Sequence, residues 1–342
     1  MGDVLNLDPA AYDFKSAPVS SLTEIETVAH AMFSSVDLVD GQRDGNWNFK
    51  SDRSYVTEVN RDQQRMFYVA PDSDPTGASG AWEREWDGKN AQSKWSENAG
   101  TDLRTNLIQC RQAGRMFPGV KVHFEELVYE SDSDVSSVLL EGVKIKGCGM
   151  GKTIFRQVVP TDKPMVTYKD GEPASIEELT IDANNLVVGT ATFRPFGVSS
   201  FFAQNLEIIK WERGIELKSS PTTAIISSEL INVRIHDPST GGNSHPFDIG
   251  TPWGSPEMTD LVMRDCVAEG AYLPFVSTTT PGTADQIVLK NVQGAILDNC
   301  VSKGGGELGI ALSHGSRNIE INGGIVSDNA VSYTHLTLPT KA

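Results

Sequence analysis

Cysteine is scarce: Cys110, Cys148, Cys266 and Cys300 are the only four in 342 residues, and no two form a CxxC pair. That argues against a disulfide framework or a zinc knuckle and leaves buried thiols as the simplest reading. Long apolar runs are missing as well, and nothing approaches the ~18 uninterrupted apolar residues of a membrane span. Positive charge is in short supply, with 29 Lys and Arg against 45 Asp and Glu, a formal net charge of −16. Such a surface repels polyanions unless a local basic patch or a metal intervenes, so nucleic acid is not an expected partner. The start, Met1-Gly2-Asp3-Val4, lacks the basic residues and apolar run of a signal peptide, which predicts folding in a cytoplasm or export by a route other than Sec.

Helical periodicity is nearly absent from residue 138 to 330, and another repeat takes its place. Apolar pairs two residues apart recur at Val143/Ile145, Leu179/Ile181, Leu206/Ile208, Val233/Ile235, Leu261/Met263, Ile287/Leu289 and Ile319/Ile321. Their first members are separated by 36, 27, 27, 28, 26 and 32 residues. A two-residue alternation is strand period with one face buried, and self-similarity near 27 residues marks a solenoid. Asn, Asp or Gly usually follows a pair, as at Gly147, Asp182, Asn291 and Asn322, and these residues tolerate the left-handed backbone that a sharp corner needs. The fold predicted is all-β: a right-handed parallel β-helix whose coils close their core only against neighbours. Toward the C-terminal end a second register competes, because Asp265-Cys266-Val267 also aligns with Asn299-Cys300-Val301, 34 residues on.

Residues 1–60 read as an N-terminal segment, 61–98 as a small adaptor or linker with short strands, and 99–330 as the β-helix. In the first, Ser21 and Glu24 fit a capping box opening a helix toward Phe33, followed by a strand from Val36 to Val39 and an Asp40-Gly41 turn. A strand is expected at Met66–Val69. At Asp102 a helical pattern with Leu103, Leu107 and Cys110 on one face begins and is expected to stop at Gly114. A helix there would cap the open end of the solenoid. Gly147 to Thr153 carries a Gly-Lys-Thr, but Lys146 stands where a phosphate loop needs its first glycine, and Ile154-Phe155-Arg156-Gln157-Val158 reads as strand, not helix. Residues 331–342 contain Val331-Ser332-Tyr333-Thr334-His335-Leu336-Thr337-Leu338-Pro339-Thr340, the translation of a sequencing-library adapter. That stretch is expected to be an artefact on a truncated frame and enters no argument.

Gly80-Ala81-Trp82-Glu83-Arg84-Glu85-Trp86-Asp87-Gly88, the helix through Leu107-Ile108-Gln109, and Gly142-Val143-Lys144-Ile145-Lys146-Gly147-Cys148-Gly149-Met150-Gly151-Lys152-Thr153 occur in that order. In this the chain resembles phage tail fibres and tailspikes carrying a pectate-lyase-superfamily (pectin-lyase-like) β-helix, over about residues 30–330. It departs from them before the capping helix, where Asn98-Ala99-Gly100-Thr101-Asp102 replaces the usual Gly-Asp-Gly and Asp-Asp. The resemblance implies a virion protein assembled in the host cytoplasm and homotrimeric at full length. It would join the phage tail or baseplate through its N-terminus and bind host cell-surface polysaccharide. It implies either depolymerase activity, hydrolase or lyase, or a non-catalytic fibre or adhesin on the same scaffold; a free polysaccharide lyase or glycoside hydrolase is the third class. No cofactor is expected, save calcium for a lyase.

Polysaccharide cleavage needs two carboxylates, or a carboxylate with a basic proton abstractor. The longest insertion between core strands, His236 to Gly254, holds His236, Asp237, His245, Asp248 and Trp253. Its aspartates and histidines can supply acid and base, and Trp253 can stack on a sugar face. The same residues also suit an ordered surface loop whose Asp and His serve turns. If Asp237 or Asp248 is the proton donor, burial against Phe247 or Trp253 should raise its pKa. Asp265 and Glu269 are further catalytic candidates, and Tyr272 with His236 and Trp253 the carbohydrate-binding ones; outward acids on a solenoid are mostly solvated.

Overall fold

A computed structural model describes residues 17–30, 33–41, 43–96, 100–132, 138–238, 245–251, 256–270, 285–304 and 308–328. The expected carbohydrate contacts Trp253 and Tyr272, residues 239–244 and 252–254 of the 236–254 insertion, and the adapter-like 331–342 lie outside them. The chain divides into two compact units, Met1–Ala99 and Gly100–Ala342.

The first unit is built on a five-stranded sheet, in which Ala17–Val19 pairs parallel with Ser35–Leu38 and the remaining neighbours are antiparallel. Strand Gly45–Lys50 pairs with Ala81–Arg84, so one sheet joins segments on both sides of residue 60. The Ser21 cap is present: its hydroxyl accepts from the Glu24 N–H at 3.1 Å. The helix is shorter than its pattern promised, Leu22–Thr27, because Val28 turns extended. The core is aromatic, with Trp47, Trp82 and Phe67 fully buried. Two buried charges complete it. The Asp62 carboxylate accepts from the N–H groups of Met66, Phe67 and Tyr68 at 3.0, 2.6 and 2.8 Å. The Arg84 guanidinium donates to the carbonyls of Met66, Asp44 and Arg43 while lying over the rings of Trp47 and Trp95. Backbone dipoles thus satisfy charges that would otherwise be costly to bury.

The second unit is a parallel β-helix. Each coil contributes up to three strands, stacked on three faces. The first face carries Val120–His123, Val143–Lys146, then Ala174–Glu177, Phe201–Gln204 and their successors. The second carries Val128–Ser131, Ile154–Gln157, Leu179–Asp182, Leu206–Ile209 and so on; all contacts between coils are parallel. The third face is a seven-stranded sheet running from Leu139–Leu140 to Ile310–Ser313. The helix Leu103–Met116 packs Leu103, Leu107, Cys110 and Ala113 into the first coils, its N-terminus capped by Asp102, which accepts from the Thr105 N–H at 2.8 Å. It runs through Gly114 instead of stopping there. The glycine is in ordinary helical conformation, and its missing Cβ is what lets the helix rest on the Glu141 carbonyl.

Leu179, Ile181, Leu206, Ile208, Val233, Ile235, Leu261 and Met263 are all fully buried in this core. Their register is less uniform than the repeat suggested. Leu179, Leu206 and Val233 do stack at 27-residue steps. Leu261 and Met263, however, pair with Ser228 and Leu230 on the first face, and Ile287 and Leu289 lie on the third. Val143 and Ile145 belong to the first face, with Ile145 opposite Ile176. The competing 34-residue alignment is the one realised, Val267 opposite Val301.

The corners explain the confusion. Between the first and second faces a single left-handed residue recurs in register: Glu178, Asn205, Asn232, Asp265 and Asn299, with φ from 49° to 59°, then Gly323. Their side chains form a ladder, Asn205 Nδ2 donating to Glu178 Oε1, Asn232 Nδ2 to Asn205 Oδ1 and Asn299 Nδ2 to Asp265 Oδ1, each at 2.7 Å. One residue replaces a loop, so two apolar pairs five residues apart sit on different faces of one coil. Of the corners expected, Asn291 is left-handed, while Asp182 and Asn322 end strands and Gly147 has no positive φ.

Candidate active site

The structure divides the sequence candidates among three places. Asp265 is an exposed corner residue held by Asn299, which gives it a conformational duty. Asp248 and His245 belong to the third face. There Asp248 closes a network in which Arg194 and Lys218 approach Glu216 at 2.7 and 2.5 Å, and Lys218 and Lys290 approach Asp248 at 3.0 and 2.8 Å. Burial pushes the Asp248 carboxyl up, but the two lysines outweigh it and hold the group below the usual aspartate range. The expected upward shift is therefore reversed, because cations and not Phe247 face the carboxylate. His245 Nδ1 lies 3.0 Å from the Asp285 carbonyl.

The third place is the outward side of the second face. Strand Ile226–His236 presents His236 there and the corner turns immediately after it, at Asp237, φ 53°. His236 Nε2 lies 3.0 Å from Glu207 Oε1, and Nδ1 lies 3.2 Å from Asp237 Oδ2. Glu207 is fixed from the coil below, where the Thr180 hydroxyl donates to its Oε2 at 2.7 Å. The His236 carbonyl accepts from the buried indole of Trp211 at 2.8 Å, which pins the backbone behind the ring. One imidazole is therefore bracketed by a half-buried carboxylate and an exposed one, Asp237 being 73% exposed. Further along the face Glu269 faces Lys303 at 3.6 Å, and Asp182, two coils below His236, is buried between Arg156 and Lys210 at 3.0 and 3.2 Å.

Geometry thus brings His236 and Asp237 together, leaves Glu269 in a neighbouring pair, and separates Asp248, His245 and Asp265 from them. It adds Glu207, Thr180 and Asp182, which sequence reading passed over. The signal was present: Thr180, Glu207 and Arg234 stand 27 residues apart at one outward register, so scanning the repeat for outward polar residues would have found the row. Such a histidine can take a proton from, or give one to, any group that replaces Asp237 at its exposed nitrogen, while Glu207 keeps the ring oriented. Among the described residues no group of three or more His, Cys, Asp or Glu is disposed to hold a metal ion, so no step is assigned to calcium.

No protein-family model matches the chain, and no curated protein does. Solved structures do. The tailspike protein gp49 of the Acinetobacter baumannii bacteriophage Fri1, a capsular polysaccharide depolymerase, is 12% identical, covers 90% of this chain and aligns with a TM-score of 0.46. ORF18 of Geobacillus virus E2 is 11% identical over 90% of the chain, TM-score 0.40. Pantoea stewartii WceF, a glycan biofilm modifying enzyme with a tailspike-like parallel β-helix, is 9% identical over 92%, TM-score 0.44. The present chain is similar to these proteins in fold, and no residue role is taken from them. It spans 60% of the length of gp49 and 63% of that of ORF18.

Proposed function

We propose that this is a tailspike-type protein that binds host cell-surface polysaccharide alongside its coils and cleaves it at the second face, with His236 as the proton-transferring residue. The observation that carries the reading is the imidazole held between Glu207 and Asp237 on the outer side of a rigid stack, where an extended polymer can lie across successive coils. Glu207 is the positioning residue, anchored by Thr180. Asp237 is the second carboxylate, able to serve as base or to stabilise developing positive charge. On the same reading the N-terminal unit attaches to the phage tail or baseplate, the full-length protein is a homotrimer, and it is a component of the virion; these rest on the sequence resemblance.

The test is turnover of purified capsular and O-antigen polysaccharides by the wild type, His236→Ala and Glu207→Gln. Loss of cleavage with retained binding in His236→Ala supports the assignment, and a product absorbing as an unsaturated sugar makes the enzyme a lyase. Wild-type binding without cleavage of any of them would make the protein an adhesin, and full activity in both variants would move the site elsewhere.

A further inference from the structure

The first face carries a trough of about 300 Å³ that is distinct from the His236 site and that nothing above accounts for. Its origin is a column of outward residues in register on successive coils: Lys121, Lys144, Ser175 and Phe202. Ser175 is short and nearly buried, while Lys144 one coil below is exposed and Phe202 one coil above is half-buried. A small residue between two tall ones makes a depression with a hydroxyl in its floor, an ammonium on one wall and an aromatic ring on the other, with Pro173 at the rim.

Its charge runs against that of the protein. Lys121, Lys144 and Lys146 converge on these rungs in a chain of net charge −16. The floor carboxylate, Glu177, is taken up by Lys121 at 2.9 Å, two coils away. The neighbouring Glu178 turns at the corner to accept from Asn205 at 2.7 Å. Lys144 and Lys146 have no ion pair among the described residues. Positive charge left uncompensated in a concave site beside an aromatic wall suits a ligand with one anionic and one apolar face.

We propose that this trough binds an acidic saccharide, a uronate-type unit whose carboxylate meets Lys144 while its ring lies over Ser175 against Phe202. This rests on the reading of the protein as a polysaccharide binder and adds that the polymer it recognises is anionic. Ser175 Oγ directs its own hydrogen at Glu177 Oε1, 3.4 Å away, and so accepts from a sugar hydroxyl; with the ring of Phe202 it fixes orientation, and Lys144 selects the charge. An extended acidic chain would otherwise be repelled by the molecule's overall field, so the trough is where it would first be held.

The experiment is calorimetric titration of the full chain with hexasaccharides of alginate, polygalacturonate and hyaluronan, with maltohexaose as the neutral control. At least one acidic hexasaccharide should bind, more weakly as salt rises, and maltohexaose should not. Lys144→Glu and Ser175→Trp should each weaken that binding about tenfold or more. Lys144 is exposed, so Lys144→Glu remains informative if Ser175→Trp does not fold. Binding to none of the three acidic ligands, equal binding of maltohexaose, or an unaltered affinity in Lys144→Glu would overturn the proposal. Acidic binding without cleavage of any polysaccharide would defeat the His236 assignment alone, and cleavage of neutral polymers alone would defeat this one.

Discussion

The two units solve the problem of buried polarity in opposite ways. In the N-terminal unit, charge goes inside: Asp62 and Arg84 sit in an aromatic core and are satisfied by six backbone groups, three N–H and three C=O. In the β-helix the core is built of stacked aliphatic side chains with Phe124, Phe155, Phe193, Phe201 and Phe247 among them, and charge is set out in rows on the faces, as in the Arg194–Glu216–Lys218–Asp248–Lys290 network. The difference follows from geometry. A small unit has irregular chain to wrap around an ion, whereas a stacked coil has already committed its backbone groups to the coils above and below. Function on the solenoid must therefore be built from outward side chains, which is where His236 and Lys144 lie.

The comparison breaks most visibly if each core is opened separately. Trp82→Ala should cost about 3–5 kcal/mol and Leu206→Ala about 2–5 kcal/mol. In urea the first should move only the transition of the N-terminal unit and the second only that of the β-helix, followed by indole fluorescence and far-ultraviolet circular dichroism respectively. A single shared transition displaced by both would show that the units do not unfold independently.

Acid should separate them next. Burial is the largest influence on Asp62 and pushes its carboxyl up to about 6, against the three N–H donors that pull it down. The folded unit therefore holds this proton more tightly than the unfolded chain, and the resulting stabilisation is lost as pH rises through about 6. The N-terminal unit should lose about 1 kcal/mol between about pH 5 and pH 7, and Asp62→Asn should flatten that slope while lowering stability overall. Asp248 has the opposite sign: its carboxyl is held down despite burial by Lys218 and Lys290. Its contribution to the β-helix is present above the ordinary aspartate range and is lost as pH falls through it. Melting curves at stepped pH would reveal slopes of the same sign in both units if this account is wrong.

A more local effect is expected at a corner. Asn205→Ala should cost about 1–2 kcal/mol, because alanine resists a left-handed backbone and removes one rung of the amide ladder. Asn205→Gly should recover most of the backbone part. Equal losses for both would put the cost in the ladder and not in the turn.

The sequence announced a stack of short parallel strands because the alternation of Leu206 and Ile208 repeats at Val233 and Ile235, a spacing that suits one coil of a solenoid. It did not disclose which face each pair occupied. A one-residue corner such as Asn232 leaves no composition change between two strands, so Leu230 and Val233 read as one continuous pattern. The site was half legible for a related reason. His236 and Asp237 are adjacent in sequence and drew notice as residues of a rich insertion. Glu207 is 29 residues from His236 and becomes its partner only once coils are stacked. The direction of the Asp248 shift was not legible because Lys218 and Lys290 reach it from two other coils.

The coils are not equal in length, and the widest variation falls at one connection. Between the second and third faces the connecting segment is 210–212, then 237–246, 270–286 and 304–309, while the strands on either side keep their pairing. That segment leaves the second face one residue after His236. Recombination or drift can rewrite it, in length and content, without asking any core residue to change. The scaffold is thereby uncoupled from the length of its connections, and lineages or laboratory libraries that vary only these segments should inherit an intact fold.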